Sequence, residues 1–186
     1  EHLQAYARSA QVQAQATYWQ QQLQGVVTSL PQDNPQGSLQ GVHAMTVQGG
    51  LDAHQTQRLL QVAPAAYRTQ VNDLLLTALA RVIARWTGLN DSVIQLEGHG
   101  REDLFEQVDL SRTLGWFTTI FPVKLTSAGT LGESIKGVKE QLRNIPQKGI
   151  GFGALRYLAE EPMRTAMAAL PTPRITFNYL GQFDTS

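Results

Sequence analysis

The stretch LEGHGRE, residues 96–102, places several ionisable groups directly after the apolar run VIQL. Glu97 is the first acidic residue of the stretch. A strand over that run would hold its carboxylate on a rigid element, partly out of water. A carboxylate held in this way suits general acid or base catalysis. Glu97 is therefore a candidate acid/base residue.

The neighbours of Glu97 fit a site that another group approaches closely. Gly98 and Gly100 have no side chain, which lets a substrate or another backbone segment come near. His99 and Arg101 are predicted as supporting residues that hydrogen-bond to the groups around them or fix them. The alternative is structural, with Glu97 and Arg101 in a surface ion pair and His99 as a polar turn residue. Spacing alone favours this alternative.

Two later stretches carry further candidate residues. In FNYLGQFD, residues 177–184, Asn178 and Tyr179 would direct an amide and a phenol into a cleft. Core packing with hydrogen-bonded polar tips explains the same alternation equally well. In KGIGFGALRYL, residues 148–158, three glycines near a helix start predict either a close-approach loop or a tight turn.

Other reaction chemistries have little support in this sequence. The chain has no cysteine, which excludes disulfides, thiolate metal sites and a cysteine nucleophile. Its four histidines lack metal-ligand spacing, and no serine lies in a GxSxG motif. The GxG within LEGHGRE has no third glycine, so it is weak support for a nucleotide site. We predict no metal and no directly bound cofactor.

The charge balance and hydropathy exclude further classes of partner. Fifteen Lys and Arg residues balance fifteen Asp and Glu residues, so no net field attracts nucleic acid or an anionic membrane. No run is apolar and long enough to span a bilayer, and the first residues lack a signal-peptide pattern. We predict a cytoplasmic protein that binds neither nucleic acid nor membrane.

Several elements are predicted before the LEGHGRE stretch. Residues 1–25 read as one long surface helix with many glutamines, followed by an exposed loop over 31–41. A short strand over 43–51 and a helix over 51–63, stopped by Pro64, come next.

The elements around the candidate residues alternate in type. The strongest helix is predicted over 69–88, ending at a glycine, and strands are predicted over 92–100 and 115–125. An amphipathic helix over 131–145 opens with a capping box. A shorter helix over 153–161 and a last strand over 174–183 complete the pattern. This alternation predicts an α/β domain in which helices cover a sheet.

Five motifs in this order resemble one family, the epimerization domains of nonribosomal peptide synthetases. They are AYRTQVNDLLLTAL (66–79), LEGHGRE (96–102), RTLGWFTTIFPV (112–123), GIGFGALRYL (149–158) and FNYLGQFD (177–184). This family belongs to the condensation-domain superfamily, which shares the chloramphenicol acetyltransferase fold. The resemblance implies a two-layer α/β sandwich, with a mixed sheet covered by helices.

The resemblance also implies which part of the domain this chain is. The paired-histidine motif HHxxxDG of the family's N-terminal half does not occur in the sequence. The chain therefore looks like the C-terminal half of a V-shaped, two-lobed domain. Residues 1–41 would be the helix and linker between the lobes, and residues 42–186 the C-terminal lobe.

For function, the resemblance implies L-to-D inversion at the α-carbon of an aminoacyl or peptidyl thioester. The thioester would be tethered to the 4'-phosphopantetheine arm of a peptidyl carrier protein. Glu97 would be one acid/base group, and the second histidine of the missing motif the other. Asn178 and Tyr179 match positions lining the tunnel near the thioester. Residues predicted to line that tunnel or permit close approach are Gly98, Gly100, Trp116 and Gly151.

Three expectations follow from this resemblance. The partners are the carrier protein and the missing N-terminal lobe, and the chain alone is inactive. A condensation domain, which joins two carrier-bound substrates, is the nearest alternative, although LEGHGRE and FNYLGQFD look like epimerization motifs. A non-catalytic module that docks a carrier protein is the other alternative.

Overall fold

A computed structural model describes residues 1–181 of the chain, in which helices cover a three-stranded mixed sheet. Strand β1, Asp91–Gly98, lies in the middle of the sheet. Strand β2, Thr119–Thr126, pairs with it antiparallel, and strand β3, Ile175–Phe177, pairs with it parallel on the other side. The predicted sheet covered by helices is confirmed, although β2 begins four residues late and β3 is much shorter than predicted.

The two amphipathic helices flanking the first strand pair are confirmed. Helix α6, Val71–Thr87, ends at Gly88, which has φ +75° and so adopts a conformation that favours glycine. Helix α7, Leu131–Arg143, begins with the predicted capping box. The backbone and hydroxyl of Thr130 donate hydrogen bonds to Glu133, and these lower the pKa of that carboxyl group.

The N-terminal prediction is wrong in two respects. Instead of one helix, the chain forms α1, His2–Arg8, α2, Ala10–Gln13, and α3, Gln15–Leu23. Ser9 breaks the first helix because its backbone is extended and its hydroxyl oxygen caps the next one, accepting from the Val12 amide. The segment is also not a surface helix, because it buries one apolar stripe that includes Val12, Trp19 and Leu23.

Two predictions before α6 are also wrong. Residues 44–52 form no strand and are exposed throughout, because no other strand lies beside them among the described residues. The following helix does not stop at Pro64. It runs as α4, Ala53–Gln57, a π-helical stretch, Arg58–Val62, and α5, Ala63–Tyr67. Pro64 lies in the first turn of α5, where its missing N–H is tolerated.

The exposed loop over 31–41 is confirmed up to a 3-10 turn that begins at Gly41.

The C-terminal helices differ from the prediction in extent and number. Helix α8, Ile150–Tyr157, begins within the glycine-rich stretch, three residues before its predicted start. Helix α9, Glu161–Ala168, was not predicted, although Pro162 at its first turn is a typical start signal and Met167 is completely buried.

One hydrophobic core joins these elements. Helices α1, α2, α3 and α8 pack on the face of the sheet that carries Ile94, Leu96 and Phe121. The Trp19 ring lies 6.4 Å from that of Phe121 and 5.1 Å from that of Phe152, centroid to centroid. The N-terminal helices are therefore part of the same core as the rest of the chain. Their predicted role as a joining segment between lobes stays a prediction.

A tight turn connects α7 to α8 and contacts the sheet. Gln147, Lys148 and Gly149 have φ values of +44°, +53° and +87°, so three consecutive residues lie in the left-handed region. A Cβ atom on Gly149 would lie 2.2 Å from a ring carbon of Phe121. Glycine is required here both by its dihedral angles and by the approach of that ring.

Replacing Gly149 with alanine should destabilise the chain by about 2 kcal/mol or more, because the new methyl group adds backbone strain and overpacks the Phe121 ring. The measurement is the midpoint of urea unfolding, followed by circular dichroism. Gly153→Ala, inside α8, is the matched control, because a Cβ there meets no atom within 4 Å. That variant should be as stable as the wild type or about 1 kcal/mol more stable. Equal midpoints for the wild type and Gly149→Ala would contradict the proposed role of this glycine.

Candidate active site

Glu97 lies one residue before the end of β1, with its side chain exposed. Asn178 follows β3 directly, and its Nδ2 donates a hydrogen bond to Glu97 Oε2 at 3.1 Å. The parallel pairing of β1 with β3, in which Leu96 is opposite Phe177, brings these two residues side by side. The expectation that Glu97 lies partly out of water is wrong for the part of the chain that the structure describes. Solvent reaches its carboxylate there.

Alternation along the strands places these polar groups on one face of the sheet. Gln95 precedes Glu97 by two residues, and its Nε2 donates to Thr176 Oγ1 at 3.2 Å. Ile94 and Leu96, which point to the other face, are buried in the core. The carboxylate of Glu97 therefore projects away from the core, beside a row of cross-strand polar contacts.

A cavity of about 720 Å³ opens next to this strand end. Gln95 lines it, as does Ile120, the residue opposite Glu97 on β2. Trp116 also lines it and is 98% exposed. Both the volume and the largely apolar lining are typical of small-molecule sites.

His99 and Glu102 lie side by side after the strand end. His99 Nδ1 accepts from the backbone N–H of Arg101 at 3.0 Å, and its Nε2 lies 3.3 Å from Glu102 Oε1. The other carboxylate oxygen of Glu102 lies 2.9 Å from Lys148 Nζ. Glu102 and Lys148 were not among the predicted site residues, although Glu102 is the last residue of the LEGHGRE stretch.

Arg101 fixes the segment that leads into β2. Its guanidinium group donates to the carbonyl oxygens of Leu110, Thr113 and Gly115, at 2.6, 2.9 and 3.2 Å. The guanidinium carbon also lies 4.3 Å from the ring centroid of Phe117, a cation–π contact. These donors go to carbonyl groups and not to Glu97, so the structural alternative of a Glu97–Arg101 ion pair is wrong.

Each glycine assigned to the site accommodates a close approach by the protein itself. A Cβ atom on Gly100, where φ is +67°, would lie 1.6 Å from the carbonyl oxygen of Phe117. Equivalent atoms would lie 2.7 Å from Thr119 Oγ1 at Gly98 and 2.0 Å from Gln15 Oε1 at Gly151. Gly100 thus shows the predicted approach of another backbone segment, whereas at Gly98 and Gly151 a side chain comes close. Their contact with a substrate stays a prediction.

Tyr179 follows Asn178 and is partly exposed, at 37%. Its predicted contact with a substrate tunnel stays a prediction. The last residues of the FNYLGQFD motif, 182–184, lie outside the described residues.

Residues 1–181 contain neither a metal-binding cluster nor a membrane span. In this range no group of three or more histidine, aspartate and glutamate side chains is arranged to hold a metal ion. No helix in the same range is long and apolar enough to cross a membrane.

Sequence relatives of this chain are large peptide synthases. One of the proteins that make up the linear gramicidin synthase of Brevibacillus parabrevis is 48% identical over 186 residues, which cover 99% of this chain and 2% of that protein. Tyrocidine synthase 1 of the same species is 41% identical over 185 residues, or 98% of this chain and 17% of that protein. The chain therefore spans a small part of each of these relatives.

Solved structures show the same fold. The epimerization domain from the third module of tyrocidine synthetase B superimposes with a TM-score of 0.87 at 42% identity, covering 97% of this chain and 41% of that chain. The first condensation domain of the CDA synthetase superimposes with a TM-score of 0.56 at 20% identity, covering 82% of this chain and 30% of that chain. At this low identity the match shows the fold alone. The predicted chloramphenicol acetyltransferase-like α/β fold is confirmed.

The family model described as the condensation domain matches residues 1–186, the whole of this sequence. Two observations agree with that match. The mixed sheet has the fold of the tyrocidine synthetase B epimerization domain, and the sequence relatives compared above are 40% or more identical. The chain belongs to the condensation-domain family.

Proposed function

We propose that this chain supplies one acid/base group for inversion of the α-carbon of an aminoacyl or peptidyl thioester in nonribosomal peptide synthesis. The observation that carries the proposal is the carboxylate of Glu97, exposed at a strand end and held by Asn178. The 42% identity with an epimerization domain supports inversion over condensation, since the compared condensation domain is only 20% identical.

The residues suit the chemistry of inversion. A thioester acidifies its α-hydrogen, but inversion still needs a base on one face and an acid on the other. The carboxylate of Glu97 would take or return the proton on its own face. The enolate oxygen formed between the two steps needs hydrogen-bond donors. Asn178 would keep the carboxylate in position, and the Tyr179 hydroxyl is a donor close to it in sequence.

The thioester would reach this chain on the 4'-phosphopantetheine arm of a peptidyl carrier protein. That arm keeps the acidified α-carbon attached to its carrier throughout the reaction. The open cavity beside β1 would receive the arm, because its largely apolar lining also includes the polar residues Gln95 and Thr118. Trp116 and Phe117 also line the cavity and would contact the arm.

The second acid/base group would come from outside this chain. The resemblance assigns it to a histidine of the N-terminal lobe, and the chain covers 41% of the matched epimerization-domain chain. On this proposal, inversion requires the complete domain, of which this chain would be the C-terminal half.

Two rival functions can be tested in one assay that contains the loaded carrier protein and a second carrier-bound substrate. A condensation domain would join a carrier-bound L-aminoacyl thioester to a second carrier-bound substrate, forming an amide. A docking module would bind the loaded carrier protein without changing it. Product analysis distinguishes the three, because inversion gives a D-aminoacyl thioester, condensation gives an amide, and docking returns the starting material.

The first expected result concerns Glu97 in the complete domain. Glu97→Gln should lower the rate of α-carbon inversion on a carrier-bound L-aminoacyl thioester by about 100-fold or more, because glutamine cannot exchange the proton. Deuterium incorporation from heavy water and the D/L ratio measure the loss. Glu106→Gln, on an exposed residue of the next loop, should be near wild type. Near-normal inversion by Glu97→Gln would make this residue structural.

The second expected result concerns Asn178. Asn178→Ala removes the hydrogen bond to Glu97 and should lower kcat by about 10-fold with little change in KM, because the carboxylate loses its orientation. Thr176→Val is the matched control, since it removes the neighbouring cross-strand hydrogen bond to Gln95 and leaves Glu97 untouched. Equal kcat values for both variants would exclude a special role of Asn178.

The third expected result concerns the chain alone. The 186-residue chain should form no D-product from the loaded carrier protein, because the opposite acid/base group is absent. Chiral analysis of the hydrolysed product is the measurement, with the complete domain as positive control. D-product from the pure chain would show that both groups lie within it.

A further inference from the structure

The turn at residues 147–149 carries backbone strain next to the candidate site. Gln147 and Lys148 both have side chains and yet adopt positive φ values of +44° and +53°. Residues with a Cβ atom rarely occupy this region, and two in succession are rarer still. Such strain persists only where surrounding contacts hold it, and it is concentrated at functional sites. The contacts of these two residues are therefore informative.

The inner side of the turn is held by the N-terminal helices. Gln147 Oε1 accepts a hydrogen bond from Gln15 Nε2 at 2.9 Å and another from the Tyr6 hydroxyl. Burial raises the pKa of Tyr6, so its phenol stays a neutral donor. The carbonyl oxygen of Lys148 lies 3.8 Å from the position of a Cβ atom on Gly98. The turn is thus packed against the end of the strand that carries Glu97.

The outer side of the turn connects to the motif through charged groups. Lys148 Nζ lies 2.9 Å from Glu102 Oε2, and the second oxygen of Glu102 lies 3.3 Å from His99 Nε2. His99 Nδ1 accepts from the backbone N–H of Arg101 at 3.0 Å. Because Nδ1 is the acceptor, the hydrogen of the neutral ring lies on Nε2, the nitrogen that faces Glu102. Glu102 therefore contacts both Lys148 and His99, and the three side chains form one chain of contacts.

Glu102 and Lys148 differ in how far their side chains are exposed to solvent. The Glu102 side chain is only 16% exposed, whereas that of Lys148 is 74% exposed. A largely buried carboxylate depends on its hydrogen-bond partners, because water reaches it poorly. Lys148, in contrast, loses little solvation when it pairs. Removing Lys148 would leave Glu102 with His99 as its one remaining partner among the side-chain contacts described.

We propose that Lys148 is a positioning residue for the motif at residues 96–102. Its ammonium group fixes Glu102, Glu102 orients the His99 ring, and that ring fixes the backbone N–H of Arg101. The segment directly after Glu97 is thereby held in place. The strained turn is what places Lys148 within reach of Glu102. The kinetic consequence of this inference rests on the proposed function, but its structural consequence does not.

The structural arm of the test uses the 186-residue chain. Nitrogen-15 spectra of the histidine rings should show the wild-type His99 as the Nε2–H tautomer. Lys148→Met should shift the His99 ring signals, and Lys148→Arg should restore them. Lys136→Met, which removes an exposed lysine of α7, should leave them unchanged. A His99 spectrum that is the same in the wild type and Lys148→Met would overturn the proposal.

The kinetic arm uses the complete domain and the heavy-water exchange assay. Lys148→Met and Glu102→Gln should each lower kcat by about 10- to 100-fold with a smaller change in KM, as expected when a reacting group is misplaced. The double variant should lose little more than either single one, since both changes break the same chain of contacts. Lys148→Arg should recover most of the activity, which a folding defect alone would not produce.

The outcomes separate the two proposals. Wild-type exchange together with full activity of Lys148→Met would overturn the positioning role and leave the proposed function intact. No exchange in the wild-type domain would overturn the proposed function, and the histidine spectra would then decide the role of Lys148. Additive losses in the double variant would also overturn the positioning role, because independent losses exclude a shared path.

Discussion

The pairing of β1 with strands on both sides determines where the groups of the candidate site lie. On one side, the antiparallel register places Ile120 opposite Glu97 and leads directly into the cavity lining. On the other side, three parallel pairs with β3 are enough to bring Asn178 within hydrogen-bond distance of the same carboxylate. A shift of β3 by one residue would turn the Asn178 side chain to the opposite face. The site therefore depends on the register of a very short strand.

That register is supported by packing on the other face of the sheet. Leu96 and Phe177 are paired neighbours, and Phe121 lies under the same helices with the Trp19 ring close to it. Burying aromatic and aliphatic side chains between the helices and the sheet contributes about 1.5–3 kcal/mol for each large side chain. The N-terminal helices thus stabilise the end of β1 through apolar packing.

Some of this arrangement could be predicted from the sequence, and the reasons are local. Helix α6 has a strong apolar period and a glycine after its last turn, and α7 has a capping box. Both signals act within a few residues. Glu97 and Asn178 could be selected as candidates because each lies in a contiguous motif, and their roles stay predictions.

Other features depend on contacts between distant parts of the chain. The apolar alternation over residues 43–51 has no partner strand among the described residues, and so it forms no strand. Trp19 lies among glutamines that resemble a solvated surface, yet α8 and the sheet bury it. The contact of Lys148 with Glu102 requires positive φ at residues other than glycine, which no propensity indicates.

The exposure of Glu97 bears on its proposed role in proton transfer. A carboxylate open to solvent is surrounded by water that competes for the proton and weakens every electrostatic contact with a substrate. Leu114 and Trp116, in the segment fixed by Arg101, are both 98% exposed, which is unusual for two large apolar side chains so close together. A surface that covered them would also exclude water from the cavity that Trp116 lines. Under the proposed function, this chain would provide the carboxylate and its orientation, and a covering surface would provide the dry environment that proton transfer needs.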